Sequence, residues 1–391
     1  MFNCVHPWPK TGKTILRGLF LLSVAVATGT LLLIAQPPGG AGKGKQKAKG
    51  PEPCERACLE DFANQYLDAL VAHNPFGLPL AKGVKFTENG YELPMGDGLW
   101  NVATGLGRYR IYVADFTAPE QQGQFGPNVA QSVPQGGQVG LIATVYENQR
   151  PVTLALRLRI EDRKISEIET MVSRVSAPTG GGFGAPKGKG KGKGKGPAPR
   201  PVGAANLEQM FGPAADFMEA VPEAERSSRV ELIDIANSYF DALEQSSGDI
   251  ALFAETCDRI ENGSRVTNNP GAAPAPRGTI DTDAMGCAEQ ITSQAFAGYQ
   301  VVYPRRFPVI DEERQLVMAW AMYQQPGTVL TVESPGLGNI ELPVERSQPA
   351  FVETVQIFKI ENGRIRRMEG LTQTLPYGTP DVWFPDTWRK K

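Results

Sequence analysis

The sequence predicts an α+β protein of two related domains, and three observations carry the prediction. The chain repeats itself at a fixed spacing. A lysine–glycine tract separates the repeats. Each repeat opens with helical periodicity and closes with alternating strands.

From the N-terminus, Lys10, Lys13 and Arg17 precede an uncharged, mostly apolar run from Gly18 to Ala35. A basic flank before such a run predicts an export signal, and the run is also long enough to remain as a membrane anchor. Ala25-Val26-Ala27 offers a small-x-small cleavage site. The expected location is therefore exported: periplasmic, secreted or anchored by residues 1–35. Membrane contact is expected only through that segment.

Residues 36–53 are rich in Gly, Pro and Lys and read as a tether, and residues 176–205 repeat that chemistry around Lys187 to Lys195. The two expected domains are thus 54–175 and 206–391. The lysine tracts read as solvated spacers or as attachment points for anionic surface polymers. Twelve of the 40 basic residues lie in these tracts and before the apolar run. The remainder are outnumbered by the 42 acidic residues, so no nucleic-acid partner is expected for the folded parts.

The repeat itself is explicit. Ala63-Asn64-Gln65-Tyr66-Leu67-Asp68-Ala69-Leu70 matches Ala236-Asn237-Ser238-Tyr239-Phe240-Asp241-Ala242-Leu243, and a Glu-Asn-Gly begins 25 residues after each start, at Glu88 and at Glu261. Ile160 to Ile165 echoes Ile360 to Ile365. In each copy a helix comes first, with Phe62, Tyr66, Leu67 and Leu70, or Leu232, Ile235, Tyr239 and Leu243, at helical spacing. Strands follow at Leu154–Ile160, Ile165–Val172, Val301–Ile310, Leu316–Tyr323, Phe351–Ile360 and Ile365–Thr374. Segments 117–138, 270–286 and 325–349 read as long loops. A face-to-face pairing of the two sheets, a pseudo-dimer within one chain, is expected.

Of five cysteines, Cys4 falls in the leader. Cys54, Cys58, Cys257 and Cys287 read as one disulfide per domain in an oxidising compartment. Without a C-x-x-C pair, and with only two histidines, a zinc site is disfavoured and no metal is expected.

These residues resemble the SnoaL-like, nuclear-transport-factor-2-like fold, and more closely a family of secreted fungal and bacterial proteins of unknown function. Phe86-Thr87-Glu88-Asn89-Gly90, Gly96 to Trp100, Cys257 to Gly263, Gly286 to Gln290, Arg305 to Arg314 and Pro376 to Thr379 carry the likeness. It implies two tandem cones, each of N-terminal helices packed on a curved, mostly antiparallel sheet around a pocket. It implies no particular activity.

The scarcity of histidine excludes a facial iron triad within one chain, and no phosphate or dinucleotide loop is present, so no cofactor is expected. Carboxylate, tyrosine, arginine and amide chemistry remains. Asp258, Glu261, Arg306 and Tyr377 are the candidate catalytic residues, and Glu88, Asp97, Trp100, Asn262 and Arg305 are the candidate ligand contacts. Each has a plain alternative: turn chemistry at Glu-Asn-Gly, and outward ion pairs for the arginines.

Two functions are compatible with this set. One is a small-ligand binder with cofactor-independent lyase, dehydratase or isomerase chemistry. The other is a non-catalytic binding or scaffold module at the cell surface. Whether the protein is an enzyme is left open. A hollow interior favours the first reading, and an interior filled by its own side chains the second.

Overall fold

In the computed structural model, which describes residues 54–116, 137–174, 203–269 and 278–384, the first repeat opens on α1 (Arg56–Val71). Leu59, Phe62, Ala63, Tyr66, Leu67 and Leu70 recur every three or four residues, so one stripe of α1 is buried. Six strands follow: β1 (Leu80–Glu88), β2 (Tyr91–Glu92), β3 (Ala103–Asp115), β4 (Gln138–Glu147), β5 (Arg150–Glu161) and β6 (Lys164–Ser173). They form one sheet in the order β2-β1-β6-β5-β4-β3, in which only β1 and β6 are parallel. The leader, the tether, most of the lysine–glycine linker and the Gln/Gly-rich stretch at 117–136 lie outside the described residues.

The second repeat begins with two short helices, α2 (Ala204–Met210) and α3 (Ala215–Met218), before α4 (Arg229–Gln245). A capping box starts α4: Ser228 accepts from the Glu231 N–H, and Glu231 accepts from the Ser228 N–H at 2.7 Å. Then come β7 (Phe253–Glu261), β8 (Ser264–Arg265), α5 (Cys287–Thr292), β9 (Val301–Asp311) and β10 (Leu316–Gln325). After them come β11 (Thr331–Ser334), β12 (Gly338–Glu341), α6 (Val344–Ser347), β13 (Ala350–Glu361) and β14 (Arg364–Leu375). The main sheet runs β8-β7-β14-β13-β10-β9, again with one parallel pair, β7 and β14. Strand for strand this is the order of the first sheet. The protein is α+β, with two six-stranded mixed sheets and few helices.

The segment 325–349, expected as a loop, instead contains the β11–β12 hairpin and α6. Val332, Ile340 and Leu342 give the hairpin a small apolar cluster of its own, packed against Ile280 and Ala297. That burial is why it is ordered: alternation over only four residues per strand is too short a signal to read from the sequence.

One face of each sheet packs with its helix. Leu59, Phe62, Tyr66 and Leu67 of α1 join Phe86, Leu141, Leu154 and Ile168. Leu232, Ala236, Tyr239 and Phe240 of α4 join Val317, Ala319, Phe358 and Met368. The opposite faces share a third apolar cluster, in which Tyr109, Ile111, Val113, Ile142 and Met171 meet Val309, Met318, Trp320, Val355 and Ile357. Gly140 lets the sheets close: a Cβ there would stand 2.3 Å from the Met318 sulfur.

Two ion pairs lock this seam reciprocally. Arg56, the first residue of α1, donates to both carboxylate oxygens of Asp311 at the end of β9. Arg229, the first residue of α4, donates to both oxygens of Asp115 at the end of β3, at 3.0 and 2.6 Å. The Ile310 N–H donates to Asp115 and the Ala114 N–H donates to Asp311, each at 3.3 Å. Both aspartates are fully buried. Residue i thus meets j as j meets i, the signature of a two-fold interface.

Candidate functional site

In the second repeat β7 alternates so that Cys257, Arg259 and Glu261 share one face, and that face looks toward α4. Arg259 is buried there, a charge inside an apolar cluster. Such a charge persists only when paired. Its guanidinium donates to Gln290 Oε1 at 2.5 Å, to Glu261 Oε2 at 3.0 Å and to the Tyr239 hydroxyl at 3.2 Å. Gln290 on α5 is held in turn by donating to the carbonyl of Thr282 at 2.8 Å and to that of Val266. The Thr267 hydroxyl accepts the Arg259 N–H at 2.8 Å.

Aromatic rings complete the wall. Phe296 stacks on Tyr299, and Tyr299 lies 4.8 Å from Tyr323. Arg346 of α6 sits over both Phe296 and Tyr299, at 4.9 and 4.7 Å, while Arg259 approaches Phe296 from 5.8 Å. Burial pushes the phenols of Tyr239, Tyr299 and Tyr323 up, so they stay protonated donors at neutral pH. Burial opposes the charge on Arg259, and Tyr239 and Glu261 more than restore it. Glu261 is only partly buried, with its side chain 19% exposed, and Phe296 and Arg346 are half-buried as well.

The first repeat keeps half of this arrangement. Tyr66 and Glu88 occupy the places of Tyr239 and Glu261, but Phe86 stands where Arg259 stands. Glu88 serves the fold there, accepting the Leu99 N–H at 2.9 Å and so anchoring the turn at Gly98–Asn101. Gly98 (φ +68°) makes room, because a Cβ there would lie 2.6 Å from the Glu88 carboxylate. Burial pushes the Glu88 carboxyl up. Trp100 is buried edge-on to Tyr66, and Asp97 is exposed.

The expected catalytic four do not meet. Asp258 faces the other side of β7 and pairs with Arg265 and Arg367, at 2.8 and 3.1 Å. Arg306 lies in the seam, bonded to both oxygens of Glu169 from the first sheet. Tyr377 is half exposed and stacks edge-on to Phe351. Only Glu261 reaches the interior of the second repeat. Arg305, on the opposite side of its strand from Arg306, pairs with Asp241 and Glu244 of α4 at 2.5 and 2.7 Å. Asn262 takes the turn conformation (φ +48°) and bonds Thr372 rather than lining the interior. Cys54–Cys58 and Cys257–Cys287 are both disulfide-bonded.

Tyr239, Gln290, Tyr299, Tyr323 and Arg346 were missed in the sequence. The signal that finds them is the comparison of repeats, where an arginine replaces a core phenylalanine two positions before a shared glutamate.

A second buried polar group lies in the seam between the sheets. Arg157 joins Glu169 at 2.8 Å and Glu167 at 2.7 Å, and Arg306 and Arg157 together hold the Glu169 carboxyl low against the pull of burial. Glu353 lies beside them with its carboxyl pushed up to about 8, first by burial and then by Glu169 and Asp381. Residues 376–384 strap this group: Trp383 lies over Lys85 and Arg157, its indole N–H donates to Thr87 Oγ1 at 3.1 Å, and Asp381 approaches Arg306 at 3.7 Å. Deeper in the seam, Tyr109 donates to Glu369, whose carboxyl burial raises to about 7. Among the described residues no group of three His, Cys, Asp or Glu side chains is placed to hold a metal. A surface groove elsewhere is lined by Thr104, Tyr146, Asn148 and Gln149.

Residues 225–372 match a family described as a domain of unknown function (DUF8021). Among solved structures, PrhC from Penicillium brasilianum NBRC 6234 is 13% identical with a TM-score of 0.21, over 38% of this chain and 83% of that one. AusH from Aspergillus nidulans is 16% identical with a TM-score of 0.22, over 37% of this chain and 86% of that one. No curated protein matches the chain.

Proposed function

We propose that the second repeat, within which the domain of unknown function falls, binds a small organic molecule, and that the first repeat is its structural partner. The observation that carries this reading is the Arg259–Glu261 pair set among Tyr239, Tyr299 and Tyr323, at a place where the first repeat uses phenylalanine. A buried guanidinium is a costly substitute for a core ring, even where, as here, it also ties Gln290 of α5 to Tyr239 of α4. The matching ligand has a flat apolar body for Tyr299 and Phe296 and a carbonyl or hydroxyl for Glu261 and the phenols.

Within that reading, lyase, dehydratase or isomerase chemistry would use Glu261 as base, with Arg259 and a phenol at the developing oxyanion. Against it stands the packing of the second interior by its own rings, Tyr239, Phe240, Phe253, Phe307 and Phe358. That packing favours the rival, a non-catalytic scaffold. The protein is further proposed to act outside the cytoplasm. The two disulfides are compatible with export, and among the described residues no helix is long and apolar enough to cross a membrane. In that setting the lysine tracts would contact anionic surface polymers.

The test is ligand-observed NMR of the full chain against a set of aromatic ketones, carboxylic acids and phenols, repeated on Glu261→Gln. Binding by the wild type that is lost in the variant supports the site. Absence of any binder, with the variant equally folded, leaves the scaffold.

A further inference from the structure

The two disulfides sit in opposite environments. Cys257 and Cys287 are 2–3% exposed and span 30 residues inside the second core. Cys54 and Cys58 are partly exposed and only four residues apart, so their bond constrains the unfolded chain far less. They also straddle the start of α1, a sixteen-residue helix whose first turn holds no acidic residue and whose N-cap residue, Glu55, makes no side-chain cap. Independently, Arg163, from the turn between β5 and β6, places Nη1 2.9 Å from Cys58 Sγ. A cation on one sulfur of an accessible, short-span disulfide stabilises the thiolate that leaves when the bond is broken.

We infer that Cys54–Cys58 is a redox-active disulfide that exchanges with dithiols, and that Arg163 sets its potential. A thiolate of the partner dithiol attacks Cys54 Sγ, the Cys54–Cys58 bond breaks, and Cys58 leaves as a thiolate beside Arg163. The second partner thiol then attacks the partner sulfur of the mixed disulfide and releases Cys54. Two electrons and two protons pass to the protein, which ends with two thiols, and the partner ends with a disulfide. The substrate class is a dithiol peptide or protein, and the function is independent of the ligand site in the second repeat.

The full chain is equilibrated in glutathione buffers of graded ratio, acid-quenched and alkylated, and each cysteine pair is followed by mass mapping. Cys54–Cys58 is expected to reduce at ratios that leave Cys257–Cys287 intact. The exposed Arg163→Gln variant should make reduction harder by roughly tenfold in the equilibrium constant, about 30 mV for two electrons. It should also raise the pH at which Cys58 alkylates. Oxidised wild type should in addition oxidise a two-cysteine peptide stoichiometrically. Equal resistance of both disulfides, or an Arg163→Gln variant that reduces and alkylates like the wild type, overturns the proposal.

Discussion

Replacing Glu353 by glutamine removes a proton-binding group from the seam while keeping its shape. In the folded chain this carboxyl titrates at about 8 instead of 4.5, because it is buried and faces Glu169 and Asp381, with Arg306 only partly compensating. A carboxyl raised in the folded state contributes stability that is complete below pH 4.5 and is lost as pH climbs through 8, since the unfolded chain releases the proton first. That interval corresponds to about 5 kcal/mol at the usual 1.36 kcal/mol per pH unit, an upper figure for one group. Glu369, at about 7, adds a smaller loss of the same sign in both proteins. Urea unfolding of the full chain at intervals from about pH 5 to 9 measures the effect. The wild type should lose several kcal/mol, and Glu353→Gln should lose markedly less, ending the more stable of the two at pH 9. Parallel curves would refute the assignment of a neutral, buried Glu353.

Other perturbations test the same seam and the interior. Asp115→Ala leaves Arg229 buried without its carboxylate and should cost about 3–5 kcal/mol, whereas the Asp115→Ala/Arg229→Met double variant should recover much of it in a double-mutant cycle of thermal or urea stability. Gly140→Ala drives a methyl into Met318 and should cost about 1–3 kcal/mol, with partial relief on adding Met318→Ala, read by differential scanning calorimetry. Trp383→Ala loses its contacts with Lys85 and Arg157 and should cost about 1–2 kcal/mol, most visible as faster amide exchange at Thr87 and its neighbours. Arg259→Met should weaken any ligand found for the second repeat while leaving Cys257–Cys287 formed, checked by titration and mass mapping.

Much of the fold was legible because its signals are local. The stripes of α1 and α4 and the hairpins closed at Asp162-Arg163 and Asn362-Gly363 are set by residues within one or two turns of each other. The Glu-Asn-Gly turns were legible for the same reason: Asn89 and Asn262 take the positive φ that asparagine tolerates. β1 and β7 were harder to see, because each pairs in parallel with the last strand of its sheet, some eighty or a hundred residues along the chain. The site was read least well. Asp258 and Glu261 look like neighbours in sequence, yet an odd spacing on a strand sends them to opposite faces. Arg306 finds its partner 137 residues away, in the other sheet, where no local pattern points. Tyr299, Tyr323 and Arg346 come from an irregular segment, β10 and α6, and they surround Arg259 only in three dimensions.

The reciprocal bonds between Arg56 and Asp311 and between Arg229 and Asp115 have a genetic consequence. In a dimer of identical chains, every substitution appears twice, so a change that suits one half is imposed on the other. Here the two halves are separate stretches of one gene product. Phe86 can remain a core ring in one half while its counterpart becomes Arg259, and neither change is copied across the axis. Continuity of the chain also holds the halves together at any dilution, so the mirrored aspartate locks need only hold the register.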